Sequence, residues 1–328
     1  MIGFCQFGAG RIGAIHADNI AHHPDAQLRV IVDSDHTAAE RLANRYGAAV
    51  GNLTSALADP AVDAVLVASS TDTHAELVEA AARAGKAIFC EKPLDLDRRH
   101  AEACLAVVAE CSVALMVGFN RRFDPHFARL ESQLREGRIG RLEMLTIISR
   151  DPTPPPLDYV RVSGGLFRDM MIHDFDMARW LLGEEPAEIF AAASALVDPE
   201  IDAAGDFDTA VVTLRTASGT LCQISNGRRS VYGYDQRIEA FGSKGALTAG
   251  NVVESTVTFA GAAGIVTEKP VPFFLERYAE AYRCELDHFI AAVTNNEPPS
   301  VGGSDGVKAL ALAEAALESL ATGRAVAL

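Results

Sequence analysis

From Met1 to Gly118 the chain alternates short, almost continuously apolar runs with longer amphipathic or alanine-rich ones. The short runs are Ile2–Phe7, Gln27–Val32, Ala64–Ala68, Lys86–Cys90 and Val113–Val117. Their pattern is that of parallel strands covered on both faces. Between them, Arg11–Ala21, His36–Tyr46, Thr73–Ala84 and Asp97–Ala109 read as helices, the third stopped by Gly85. Repeated β-α units predict a doubly wound parallel sheet with right-handed crossovers over residues 1-118.

After Gly118 the pattern changes. A helix is expected over Pro125–Glu136 and a strand over Glu143–Ser149, followed by a proline-rich loop at Asp151–Pro156. Gly165–Leu182 reads as one helix with Gly183 as its stop. Strand-like runs then follow one another without helices between them: Ala210–Thr216, Thr220–Asn226, Gln236–Phe241 and Thr256–Phe259. Such a succession predicts a mainly antiparallel sheet. Helices over Glu276–Asn295 and Asp305–Thr322 close the chain. The expected architecture is thus an α/β chain with a doubly wound N-terminal domain and a second, α+β domain over residues 119-328. No internal repeat or low-complexity linker interrupts it.

Composition narrows the classes of partner. A length of 328 residues suffices for two well-buried cores. The formal charge of −15, with no basic tract, excludes a nucleic-acid or anionic-membrane partner. No apolar stretch approaches the roughly 20 residues that a membrane span needs. Met1-Ile2-Gly3-Phe4 runs straight into a strand without a signal-peptide core. The six cysteines form no C-x-x-C pair, which gives the expectation of reduced thiols in a cytoplasmic protein. No histidine/carboxylate set shows convincing metal-ligand spacing, so no catalytic metal is assigned.

Candidate chemistry begins at Gly8-Ala9-Gly10-Arg11-Ile12-Gly13. Glycines at this spacing let a backbone turn tightly and approach a pyrophosphate, while the helix that starts there offers free amides and a positive dipole end. The loop follows the first strand and opens the first helix, as a Rossmann dinucleotide site requires. Twenty residues past Gly13, Asp33 ends the second strand, where its carboxylate can accept the adenosine ribose hydroxyls. It would repel a 2′-phosphate, and Ser34 offers no cation to rescue one, so NAD is expected over NADP. Ser69, Ser70 and Thr71 would line the nicotinamide side or cap the next helix. His74, at that helix start, is a structural or cofactor-contacting residue.

The apolar run Ala87–Cys90 delivers Glu91-Lys92-Pro93 to a strand end, so Glu91 and Lys92 should face the cofactor. Hydride transfer from a carbinol needs a base for the hydroxyl proton and a cation near the developing alkoxide. His173 is the candidate base. Asp169 stands four residues before it, on the same face if the segment is helical, where a carboxylate would orient the ring.

Taken in order, the glycine loop, Glu91-Lys92-Pro93 and Asp169-x-x-x-His173 resemble the glucose–fructose oxidoreductase and inositol dehydrogenase family. The resemblance spans essentially the whole chain. Gly118-Phe119-Asn120-Arg121-Arg122-Phe123-Asp124 is similar to that family's segment entering the second domain. Arg150-Asp151-Pro152-Thr153, Ser163-Gly164-Gly165 and Tyr232-Gly233-Tyr234-Asp235 are most similar to its inositol 2-dehydrogenase branch. The resemblance implies NAD-dependent oxidation of a cyclic polyol, most of all myo-inositol to 2-keto-myo-inositol. It implies a triad in which His173 takes the proton, Asp169 holds the ring and Lys92 binds the reacting oxygen with Glu91 positioning it. Arg121, Asp151 and Tyr234 match substrate-contacting positions, and Asn120 stands where some relatives carry methionine. An open-faced sheet used for oligomerisation, often as a homotetramer, is also implied. Rival readings are the same chemistry on scyllo-inositol or an aldose, a glycosidase holding NAD permanently, and an NAD-responsive binding protein.

Overall fold

Strand β1 (Ile2–Phe7) is buried along its whole length, and its side chains alternate between two cores. The computed structural model describes all residues, Met1–Leu328. After β1 the chain runs through α1 (Arg11–His22), β2 (Ala26–Val32), α2 (His36–Tyr46), β3 (Ala49–Val50), α3 (Leu53–Ala58) and β4 (Ala64–Val67). A single 3₁₀ turn, Thr71–Thr73, leads into α4 (His74–Arg83), β5 (Ala87–Glu91), α5 (Arg98–Cys111) and β6 (Leu115–Gly118). The six strands form one parallel sheet in the order β3-β2-β1-β4-β5-β6. Its strand order reverses between β1 and β4, the place outside the carboxyl ends where ligands bind in such sheets. Phe4, Leu66 and Phe89 face one core; Cys5, Val65, Val67 and Ile88 face the other. Near-continuous apolar strands are the consequence of being covered on both sides.

The second sheet is built differently. A 3₁₀ turn, Asn120–Phe123, precedes α6 (Pro125–Arg135), β7 (Leu142–Arg150), α7 (Leu157–Val160), α8 (Gly165–Asp169) and α9 (Ile172–Leu182). Then come β8 (Pro186–Ser194), α10 (Pro199–Ala203), β9 (Thr209–Thr216), β10 (Leu221–Gly227), β11 (Asp235–Gly242) and β12 (Gly245–Ala249). A hairpin of β13 (Thr258–Gly261) and β14 (Gly264–Thr267) follows, then α11 (Phe274–Arg277), α12 (Ala279–Asn295), α13 (Gly303–Thr322) and β15 (Val326–Ala327). Seven strands pair in the order β12-β11-β7-β10-β9-β8-β15, antiparallel except for β7 and β10. The α+β architecture with a mainly antiparallel sheet is therefore as the sequence predicts. Alternation along β9 is strict, with Ala210, Val212 and Leu214 buried and Val211, Thr213 and Arg215 exposed. One face is cored and the other is open.

The helix expected over Glu276–Asn295 is divided at Tyr278 into α11 and α12, and two further departures from expectation bear on the site. The single helix expected over Gly165–Leu182 is two helices with Met170 and Met171 between them. The Met171 N–H reaches back five residues to Leu166 O (2.9 Å), one residue farther than an α-turn, and the Asp174 and Phe175 N–H groups restart the ladder on Met171 O. Met170 and Met171 are both buried, and their packing, invisible to helical periodicity, overrides it. The other departure is the return of the chain. Met1–Phe123 and Ala281–Leu310 make one compact unit; Asp124–Glu280 and Ala311–Leu328 make the other. Leu286, Phe289 and Ile290 of α12 belong to the same core as Phe4 and Phe89, with the Phe289 ring 6.0 Å from Phe4 and 5.6 Å from Phe89.

Candidate active site

The glycine loop is shaped by contacts that leave one side open. Gly8 has φ +103°, and a Cβ there would lie 2.3 Å from Ala68 O. A Cβ on Gly13 would meet Gly8 O at 2.2 Å, so helix α1 can approach β1 only without one. At Gly10, by contrast, nothing stands within 4 Å of an added Cβ. No side chain caps α1 at Gly10, which leaves its first amides for an external acceptor. A tight turn, an open face and uncapped amides together fit a dinucleotide pyrophosphate. Arg11 is exposed and Ile12 half-buried at the same helix start.

Gln6, wholly buried, pins the loop from beneath: its Nε2 donates to Gly8 O (2.7 Å) and Gly13 O (2.8 Å). Asp33 does so from the side. One of its oxygens accepts the Ala9 N–H (2.6 Å) and the other the Asp35 N–H (2.8 Å). The cap of α2 is Asp35, accepting from Ala38 N–H, so Asp33 is not needed for that helix. Its position at the end of β2 fits the ribose-binding role, with Ser34 exposed beside it.

Ser69 and Thr71 lie in the loop after β4. The Ser69 and Thr73 hydroxyls are hydrogen-bonded (2.7 Å), and the 3₁₀ turn that begins at Thr71 has no side-chain cap. His74 is buried between this loop and the one after β5. Its Nδ1 lies 2.8 Å from Pro93 O and its Nε2 3.2 Å from Ser69 O. Burial lowers its pKa despite these two acceptors. The buried ring ties the two loops together from inside. Lys92 is half-buried at the end of β5. Glu91 turns inward: one oxygen lies 2.7 Å from His16 Nε2 and the other accepts the Lys92 N–H at 3.3 Å. Asn120 and Arg121, in the turn after β6, are both buried.

In the second unit Asp169 ends α8 and His173 sits in the first turn of α9, both half-buried. The break at Met170-Met171 removes the simple four-residue helical spacing on which their pairing was predicted. Asp169 is fixed by two groups that sequence reading missed. The Tyr159 hydroxyl donates to one oxygen (2.8 Å), and Arg228, 2% exposed, approaches the other (3.5 Å). Asp151, half-buried at the end of β7, donates its N–H to Gly227 O (2.9 Å). Tyr234 is 5% exposed, edge-on to Tyr278 (6.0 Å) and Phe273 (6.2 Å). Its neighbour Tyr232 is the more exposed tyrosine of the pair, bonded to Asp235 (2.6 Å). No local motif announces Gln6, His16, Tyr159 or Arg228, since each acts on a partner distant in sequence or lies in an ordinary helix or strand.

The fold and its glycine cradle define an NAD-binding oxidoreductase. Residues 2–119 match the oxidoreductase family with an NAD-binding Rossmann fold, and residues 127–248 match the GFO/IDH/MocA C-terminal domain. The chain belongs to the GFO/IDH/MocA oxidoreductase family. It is 50% identical over 325 residues to inositol 2-dehydrogenase of Rhizobium meliloti, covering 99% of this chain and 98% of that one. With myo-inositol 2-dehydrogenase of Thermotoga maritima it shares 51% identity over 323 residues, 98% and 97% of the two chains. Among solved structures, a myo-inositol dehydrogenase from Corynebacterium glutamicum superposes with a TM-score of 0.96 at 44% identity, covering 100% of this chain and 99% of that one.

Proposed function

We propose that the protein oxidises myo-inositol at its 2-hydroxyl to 2-keto-myo-inositol. The observation that carries this reading is whole-length identity of about half to two inositol 2-dehydrogenases. NAD, when bound, supplies the hydride acceptor. The uncapped amides of α1 and the open face at Gly10 hold its pyrophosphate, and Asp33 accepts its ribose hydroxyls. His173 takes the hydroxyl proton. Asp169, anchored by Tyr159 and Arg228, orients the ring and stabilises its charged form. Lys92 binds the reacting oxygen and offsets the alkoxide charge that develops on it. Asn120, Arg121, Asp151 and Tyr234 supply directional partners for the other ring hydroxyls.

NADH formation over a panel of inositols and aldoses at saturating NAD tests the reading. A preference for myo-inositol supports it, whereas a winning scyllo-inositol or aldose keeps the chemistry and replaces the substrate. Cofactor that co-purifies at full occupancy, with no net NADH formed from any of them, points to a glycosidase-type use of NAD and overturns it.

We also propose a homotetramer assembled on the open face of the seven-stranded sheet. Phe241, Met144 and Leu221 are exposed and stand in one cross-strand row, Met144 being the register partner of both others. Such a row is an apolar patch that a second copy would cover. A cytoplasmic location fits a chain in which no disulfide links the six cysteines and no helix is long and apolar enough to cross a membrane.

A further inference from the structure

Three titratable side chains meet in the interior of the first unit, next to the strand end that carries Lys92. His16 comes from α1, Glu91 from the last residue of β5 and Glu285 from α12. Their ligand-capable atoms lie within 4.8 Å of one another. His16 and Glu285 are wholly buried and Glu91 nearly so. Phe89 and Tyr282 hold the His16 ring edge-on, with centroids at 5.1 and 5.6 Å.

Neither carboxyl oxygen of Glu285 has a hydrogen-bond partner. Ionised, it would stand desolvated beside a second carboxylate, so burial and then the Glu91 charge push its pKa well up. Glu285 is the neutral acid of the group. The His16–Glu91 separation of 2.7 Å is that of a hydrogen bond. Two donors on one tetrahedral zinc, each at about 2.0–2.1 Å, would stand roughly 3.3 Å apart. The His16–Glu91 contact is therefore a hydrogen bond rather than the spacing of two ligands on one ion.

Glu91 is thereby enclosed. His16 holds one oxygen, and the other accepts the Lys92 N–H. Its register partner on β6 is Gly118, where an added Cβ would lie 3.1 Å from the Glu91 carboxyl. The next residue along the chain is Lys92. Resting on the dehydrogenase reading above, we propose that His16 is a positioning residue for Lys92, acting through Glu91, with Glu285 packed beside the pair. The buried His16–Glu91 pair fixes the end of β5 and the origin of the Lys92 side chain.

A double-mutant cycle with a spectroscopic arm tests this on the full chain. His16→Leu should lower kcat about 10–100-fold, the usual size for losing a group that orients a functional one, with the Kd for NAD unchanged. In a Lys92→Ala background the same substitution should change kcat less than about twofold, because its effect runs through Lys92. An equally large loss in both backgrounds overturns the proposal. Glu285→Gln preserves shape and neutrality, so it should fold and keep kcat within about threefold. Infrared spectra of the wild type at neutral pH should contain the carbonyl stretch of a protonated carboxylic acid, which Glu285→Gln removes. Absence of that band from the wild type also overturns the proposal. Failure of the wild type to oxidise any inositol would sink the functional reading separately, and the infrared arm would then decide the buried group by itself.

Discussion

At the scale of single residues, the site divides into groups that announce themselves and groups that do not. Gly8, Gly10, Gly13 and Asp33 stand at offsets from strand ends where phosphate and ribose binding favours those residue types, and Lys92 stands at a strand end where a developing alkoxide would need a cation. Gln6 and Glu285 carry no such signature because each lies in an ordinary strand or helix, and His16 carries none because Glu91 is brought near it only by the folded chain. Lys92→Ala and His173→Ala should each reduce kcat by about 10²–10⁴ while the Kd for NAD hardly moves, as acid–base and electrostatic roles require. Fluorescence titration with NADH alongside steady-state kinetics separates the two effects, and a parallel loss of cofactor affinity would mark a structural role instead. Asp33→Ala has a double consequence that the sequence alone does not show. It removes the charge that disfavours a 2′-phosphate and also the acceptor of the Ala9 N–H. The ratio of kcat/KM for NAD over NADP should therefore fall, and KM for both cofactors should rise, in kinetics run with each. An unchanged NAD/NADP ratio would remove Asp33 from the ribose site.

Among elements, periodicity reads well where burial is uniform and poorly where it is not. The β-α units of the first 118 residues were legible because parallel strands buried on both faces are apolar without interruption. β3 spans only two residues, too few for any period, and α3 is announced only by its capping box of Asn52 and Ser55. Between α8 and α9, two buried methionines shift the ladder by one residue, and no count of helical positions could reveal that. Capping, by contrast, speaks clearly at α6. Asp124 accepts the His126 and Phe127 N–H groups (both 3.1 Å) and pairs with Arg277, the two side chains 2% and 1% exposed. The Arg277 guanidinium also lies 5.0 Å from the Phe127 ring centroid. Asp124→Ala would remove the cap and leave a buried cation unpaired, a loss of about 3–5 kcal/mol. Urea unfolding followed by circular dichroism should show it as a lower midpoint. A shift below about 1 kcal/mol would mean that the pair relaxes into solvent.

For the molecule as a whole, acid tolerance has an identifiable contributor. Asp235 is wholly buried. Desolvation pushes its carboxyl pKa up, but donors from Arg237, Tyr232 and Asn251 outweigh it and hold the value down at about 2. Since the unfolded value is about 3.9, the ionised group stabilises the fold fully above about pH 4 and that stabilisation is lost as pH falls toward 2. The amount is on the order of 1–2 kcal/mol once the part-exposed Arg237 is allowed for. Chemical denaturation at pH 7 and pH 3 should show a smaller pH dependence in Asp235→Asn than in the wild type. The open sheet face gives a second whole-molecule expectation. If the proposed tetramer forms on this face, Met144→Asp should lower the mass measured by light scattering below that of the wild type, with the fold intact by circular dichroism; an unaltered mass would place the contacts elsewhere.

The return of α12 into the first core also bears on how this chain comes into being. A ribosome delivers Phe4 and Phe89 long before Leu286, Phe289 and Ile290, so the nucleotide-binding half is born with one wall of its interior missing. Through the synthesis of about half the chain, those aromatic rings have no permanent cover. The unit that begins the chain is not complete until Leu310, close to the end of synthesis. Newly made chains are therefore most exposed to aggregation, and most in need of a chaperone, during translation of the second unit, and a fragment ending at Phe123 is not an independent module.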